Sequence, residues 1–144
     1  MVFKRYVAVA ALTFSLMAQS LVAQDKATFK TRLTATPADA RTRAALAGSG
    51  TVSAVLHGST LALTGSFEGL LAAATAATLH GAVAAGVRGP AIADLTVSKA
   101  TAGTVAGSIV LTPEQIVSLH KGGLYILIDS EKAPEGVLWG WLLP

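Results

Sequence analysis

The run Val137-Leu138-Trp139-Gly140-Trp141-Leu142-Leu143 is of strand length, apolar on both of its alternating faces, and contains both tryptophans of the chain. Successive side chains of a strand point to opposite sides, so Val137, Trp139, Trp141 and Leu143 share one face while Leu138, Gly140 and Leu142 share the other. An antiparallel sheet needs only one apolar face, the other being free to meet water. Two apolar faces therefore require a second covering layer within the domain or a partner outside it.

Upstream, the chain reads as short strands between turn signals. Phe29, Thr31 and Leu33 alternate with Lys30, Arg32 and Thr34 in a half-exposed first strand that ends near Pro37. Thr51 to Leu56 and Thr60 to Phe67 flank His57-Gly58-Ser59 as the arms of a hairpin. Ala72 to His80 is ambiguous, because alanine favours helix whereas Thr75, Thr78 and Gly81 suit a loop and short strand equally well. Gly86 to Pro90 reads as a loop, followed by strands at Ala91 to Val97 and Thr104 to Leu111, and later at Leu124 to Ser130. One helix is clearly signalled near 113–121: Thr112 is its N-cap, Pro113 suits the first helical position, Glu114 meets the positive end, and Gln115 completes a capping box. Ile116, Val117 and Leu119 are expected to form its buried face, and Gly122-Gly123 stop it. About seven or eight short strands with one helix predict an all-β, antiparallel Greek-key β-sandwich.

Residues 1–23 have the form of a cleavable signal peptide. Lys4 and Arg5 supply the positive region, Tyr6 to Ala18 the apolar stretch, and Leu21-Val22-Ala23 a small residue before Gln24. A membrane-spanning helix needs about 20 apolar residues, and Thr13, Ser15, Gln19 and Ser20 interrupt this one. Residues 24–144 are then a single domain, expected to be periplasmic or secreted from a bacterium. The chain has no cysteine, which excludes disulfides, thiolate metal sites and a lipid-anchoring cysteine. Its formal charge of +3 falls to +1 once Lys4 and Arg5 are removed, leaving nine basic against eight acidic residues, too few to suggest a nucleic-acid ligand. Lys26, Lys30, Arg32, Arg41 and Arg43 make the start of this domain locally basic, and any membrane contact is expected through that segment alone.

Several segments together resemble the CHRD (chordin-type) domain: Thr78-Leu79-His80-Gly81, the Gly89-Pro90 turn before Asp94-Leu95, Leu111-Thr112-Pro113-Glu114-Gln115, and Gly123-Leu124-Tyr125 ahead of Pro134-Glu135-Gly136. The resemblance runs from about Phe29 to Leu143. It implies a secreted β module, with a fold-level likeness to the copper-zinc superoxide dismutase sandwich. The family pattern is approximately His-Ile-His-Gly, then Tyr-Val-Asn-Val-His-Thr, then Gly-Glu-Ile-Arg-Gly-Gln. This chain keeps His80, Tyr125, Gly136 and Gly140, but has Thr78 and Asp129 for histidines, Leu127 for the asparagine, and Val137, Trp139 and Trp141 for Glu, Arg and Gln. The changed positions share one strand parity, while the apolar positions between them, Leu79, Ile126, Ile128, Leu138 and Leu142, are retained. The resemblance thus implies an intact core and a divergent outer face that has lost most of the family's polar cluster.

Chemistry is weakly signalled. His80 and Asp129 are candidate metal ligands if adjacent strands bring them together, with His57 or His120 as a third; the alternative is a His80–Asp129 hydrogen-bonded pair. No closely spaced ligand pair, nucleophile motif or phosphate-binding loop is present. Burying an aromatic side chain stabilises by roughly 1.5–3 kcal/mol, so both tryptophans are expected to be covered. The cover is either a loop such as Thr36 to Gly48 or the segment Ala72 to Ala77, or else another protein. The expectation is a non-enzymatic binding or accessory module without a cofactor, associating with a protein partner of the cell envelope or a second copy of itself through Tyr125, Leu127, Val137, Trp139 and Trp141. A metal-binding or redox accessory role through His80 and Asp129 is the alternative.

Overall fold

A computed structural model describes residues 26–144, so the expected signal segment at 1–23 lies outside the described residues. Eight strands form: β1 (Lys26–Ala35), β2 (Ser49–His57), β3 (Thr60–Glu68), β4 (Ala74–Gly81), β5 (Ala91–Val97), β6 (Gly103–Val110), β7 (Leu124–Ser130) and β8 (Leu138–Trp141). The helix α1 (Pro113–His120) lies between β6 and β7. Its N-terminus carries the expected capping box: the Gln115 N–H donates to Thr112 Oγ1 at 3.2 Å, and the Thr112 N–H to Gln115 Oε1 at 2.9 Å.

In place of the expected Greek-key sandwich, the strands close into an antiparallel barrel in the order β1-β2-β3-β6-β5-β4-β7-β8, with β8 returning to β1. Two corner strands explain the difference. β1 pairs with β2 from Lys26 to Leu33 and then passes to β8 through Thr34 and Ala35. β5 pairs with β4 from Ala91 to Leu95 and with β6 through Thr96 and Val97. The two walls of a sandwich are present, but both seams are hydrogen-bonded, which removes the free edges.

Inward-facing Phe29, Leu33, Leu61, Leu63, Leu79, Ile126, Ile128, Leu138 and Leu142 fill the barrel and are essentially inaccessible to water. The alanine-rich segment 74–81 is a strand, with Ala74, Ala77 and Leu79 buried and hydrogen-bonded neighbours on both sides. Pairing on two flanks overrides the helical preference of alanine. Among the described residues, no helix is long and apolar enough to cross a membrane.

Candidate functional site

The outer wall made by β4, β7 and β8 carries two cross-strand rows. Thr78 stands opposite Leu127, which stands opposite Trp139; His80 stands opposite Tyr125, which stands opposite Trp141. All six have the parity that points away from the barrel interior. The rings form one cluster: His80 stacks on Tyr125 at 4.9 Å and 17°, Tyr125 meets Trp141 at 4.5 Å and Trp139 at 5.9 Å, and the indoles meet edge-on at 5.8 Å. Such pairs add about 0.5–1.5 kcal/mol each beyond area burial.

The face is covered unevenly. Tyr125 and Leu127 are buried, yet neither belongs to the main core cluster. They make a second, outer apolar layer. Its lid is the end of the β4–β5 loop, where Tyr125 Oη accepts from the Gly89 N–H at 3.0 Å and donates to the Gly89 carbonyl at 3.2 Å. Trp139 and Trp141 remain half-buried. Gly89 belongs to neither of the segments expected to cover the tryptophans, Thr36 to Gly48 and Ala72 to Ala77.

Val137 does not share this face. It lies in a bend before β8, is fully buried, and joins the barrel core. Gly136 just before it has φ +119°, Thr36 Oγ1 donates to the Gly136 carbonyl at 2.9 Å, and the Val137 N–H donates to Ile128 at 2.7 Å. The regular alternation therefore begins only at Leu138.

The expected His80–Asp129 hydrogen-bonded pair does not form. The Gly89 carbonyl can only accept, so the 2.9 Å contact makes His80 Nδ1 the donor, and Nε2 shares a hydrogen bond with the Thr78 hydroxyl at 2.7 Å. Both ring nitrogens are occupied. Asp129 stands opposite Ala76, with Oδ1 buried and lacking a hydrogen-bond partner. Burial raises its carboxyl above the ordinary value of 3.8, partly offset by the charges of His80 and Arg88. His57 ends β2 beside its hairpin turn, and His120 packs edge-on against Phe29 at 5.4 Å. Among the described residues, no group of three His, Asp or Glu side chains could hold a metal ion.

The model of the CHRD domain family matches residues 12–142. This chain belongs to that family. No curated protein matches it, and no solved structure does. The positions at which this CHRD domain departs from the polar pattern that the resemblance implies, Thr78, Leu127, Asp129, Trp139 and Trp141, gather on the β4–β7–β8 wall, with Val137 the exception. The outer face these residues share is largely aromatic and aliphatic, with Tyr125, Leu127, Trp139 and Trp141 beside the hydrogen-bonded Thr78 and His80.

Two features of the site were missed in the sequence. Arg88 lies over Trp139, 5.9 Å from guanidinium carbon to ring centre, while its Nη1 donates to the Glu135 carbonyl at 3.1 Å. Lys30 and Arg32 of β1 flank the tryptophans in a trough of about 310 Å³. The basic start of the domain was visible as composition; its position beside β8 depends on barrel closure. What this arrangement supplies is a fixed, partly open aromatic surface with cations at both margins.

Proposed function

We propose that this CHRD domain is an exported, non-enzymatic binding module, periplasmic or secreted, that associates with a protein partner through Trp139 and Trp141. The observation that carries the reading is that both indoles stay half-buried while the side chains beneath them, Tyr125 and Leu127, are sealed. A partner covering the open halves would remove further apolar area from water at roughly 25 cal/mol per Å². Tryptophan is among the residues most enriched at the energetic centres of interfaces. Tyr125 and Leu127 act as rigid backing, and Val137 as core.

The metal-binding alternative is less well supported, since His80 would have to give up its hydrogen bond with Thr78 to free Nε2. Purified protein carrying Trp139→Asp and Trp141→Asp should keep its β-sheet circular dichroism but fail to retain the partner that wild type captures from its own envelope fraction. A folded double variant that captures the same partner equally well refutes the proposal.

A further inference from the structure

We infer that the surface centred on Trp139 and Trp141 docks an acidic segment of a different protein rather than a second copy of this chain; the inference rests on reading the two indoles as a docking surface. The register across the β1–β8 seam sets the chemistry. Thr34 pairs with Trp139 and Lys30 bridges Leu143, so Arg32, midway between Thr34 and Lys30, stands opposite Trp141. Lys30, Arg32 and Leu143 are exposed and share the outward parity of the indoles. The trough between them contains two cations and no acid.

The other margin is also basic. Arg88, over Trp139, lines a neighbouring cleft of about 260 Å³ together with Arg41 and Lys132. The one acidic residue in that cleft is Glu135, and Arg88 bonds its main-chain carbonyl rather than its carboxylate. Three cationic side chains, Lys30, Arg32 and Arg88, thus border the indoles, with Arg41 and Lys132 in the cleft beyond Arg88 and with Glu135 and Asp129 as the acidic residues on that side, in a domain whose residues 24–144 carry nine bases against eight acids. Such concentration of charge attracts an oppositely charged surface and repels a like one.

Two alternatives fit less well. A two-fold dimer places the same patch on itself, which would set these cations against their own copies as the indoles approached. Strand addition is closed off because the barrel has no free edge at β8 or β1. What remains is recognition by side chains: an apolar group of the incoming chain lies between the indoles, with its carboxylates on Arg32, Lys30 and Arg88. Arginine adds directional, bidentate bonding to that attraction. Because the indoles line troughs instead of a projecting tip, a narrow peptide reaches them more readily than a flat bilayer does.

The test is titration of intrinsic tryptophan fluorescence of the purified protein with a soluble peptide of Glu-Phe-Glu-Ser repeats. The expected result is a saturable change, absent with the matching Lys-Phe-Lys-Ser peptide. Affinity should fall at least about tenfold in Lys30→Glu/Arg32→Glu and about tenfold between low and high salt. No saturable binding, equal binding of both peptides, or indifference to charge reversal overturns the inference. So does tighter binding to phosphatidylglycerol vesicles or to alginate, or a sedimenting dimer that Trp139→Asp abolishes. A natural partner lost with Trp139→Asp/Trp141→Asp but retained by Lys30→Glu/Arg32→Glu overturns the acidic partner alone. One retained by both overturns the docking surface itself.

Discussion

Gly140→Ala tests whether closure of the barrel is what holds the two indoles in place. A methyl at position 140 would stand 2.5 Å from Thr31 Oγ1, 2.9 Å from Thr31 Cγ2 and 3.0 Å from the Arg32 carbonyl oxygen. Added volume of this kind in a packed site costs about 1–3 kcal/mol. Against it stands the gain of about 0.4–1 kcal/mol that glycine-to-alanine changes give by restricting the unfolded chain. The net expectation is destabilisation by about 1–2 kcal/mol, or a fall in Tm of about 3–10 °C for a domain of this size. Thermal and urea unfolding followed by circular dichroism give the value, and the near-ultraviolet band reports whether the Trp139–Trp141 geometry has moved. Two of the three close contacts belong to the Thr31 side chain, so Thr31→Ala should recover a large part of the loss, with a coupling of about 1 kcal/mol in the double-mutant cycle. The Arg32 carbonyl remains, so recovery should be incomplete. A neutral or stabilising Gly140→Ala, or strict additivity with Thr31→Ala, refutes the reasoning.

Further consequences concern the lid, the buried carboxyl and the helix. Gly89→Ala would drive a methyl into the Gly81 carbonyl and to 2.8 Å from Ala82 Cα. The lid must then move off Tyr125, costing about 1–3 kcal/mol for the polar groups left unpaired and exposing the Gly89 amide to faster hydrogen exchange; unchanged exchange would show that Gly89 is not the clasp. Asp129, whose folded carboxyl is raised, binds its proton more tightly in the native state, so its contribution to stability falls as pH rises from 3.8 through the raised value. Asp129→Asn should therefore raise Tm at pH 7 and flatten that dependence, and a lower Tm with an unaltered pH profile would show the carboxylate to be supported. Thr112→Ala removes the capping hydroxyl from the Gln115 N–H and should cost about 1 kcal/mol in urea unfolding, whereas Thr112→Ser should restore most of it.

How much could be read in advance depended on how local the cause was. The position and cap of the helix were legible, because Thr112, Pro113 and Gln115 act within one turn, whereas of its expected buried face only Leu119 is sealed and Val117 is exposed. The hairpin at His57-Gly58-Ser59 was equally so, with Gly58 at φ +63° supplying the turn. Ala74–Gly81 was not, since its strand character comes from β5 and β7, both later in the chain. Strand parity separated Leu138 and Leu142 from Trp139 and Trp141, and the family resemblance assigned the first pair to the core, but parity failed at Val137. The bend there is bracketed by Thr36, a hundred positions away in sequence. The difference between a sandwich and a barrel likewise lay in a seam where Gly140 meets Thr31, a contact that no local pattern encodes.

Seen from the structure, the two apolar faces of the closing strand have different physical causes. Leu138 and Leu142 fill the barrel, a role any snug aliphatic side chain performs. Trp139 and Trp141 touch each other and Tyr125, and thereby help to cover a tyrosine whose hydroxyl is already held by Gly89. If covering Tyr125 were their whole purpose, Trp139→Leu and Trp141→Leu would suffice at modest cost in stability, because leucine also covers apolar area. A docking surface demands more: flat rings with one side free and a cation at each margin, as Arg88 and Arg32 provide. Leucine at both positions should therefore separate the two roles, leaving the domain folded while reducing partner affinity by more than the lost area alone predicts. Stability and affinity falling together in proportion would make the indoles a lid and nothing else.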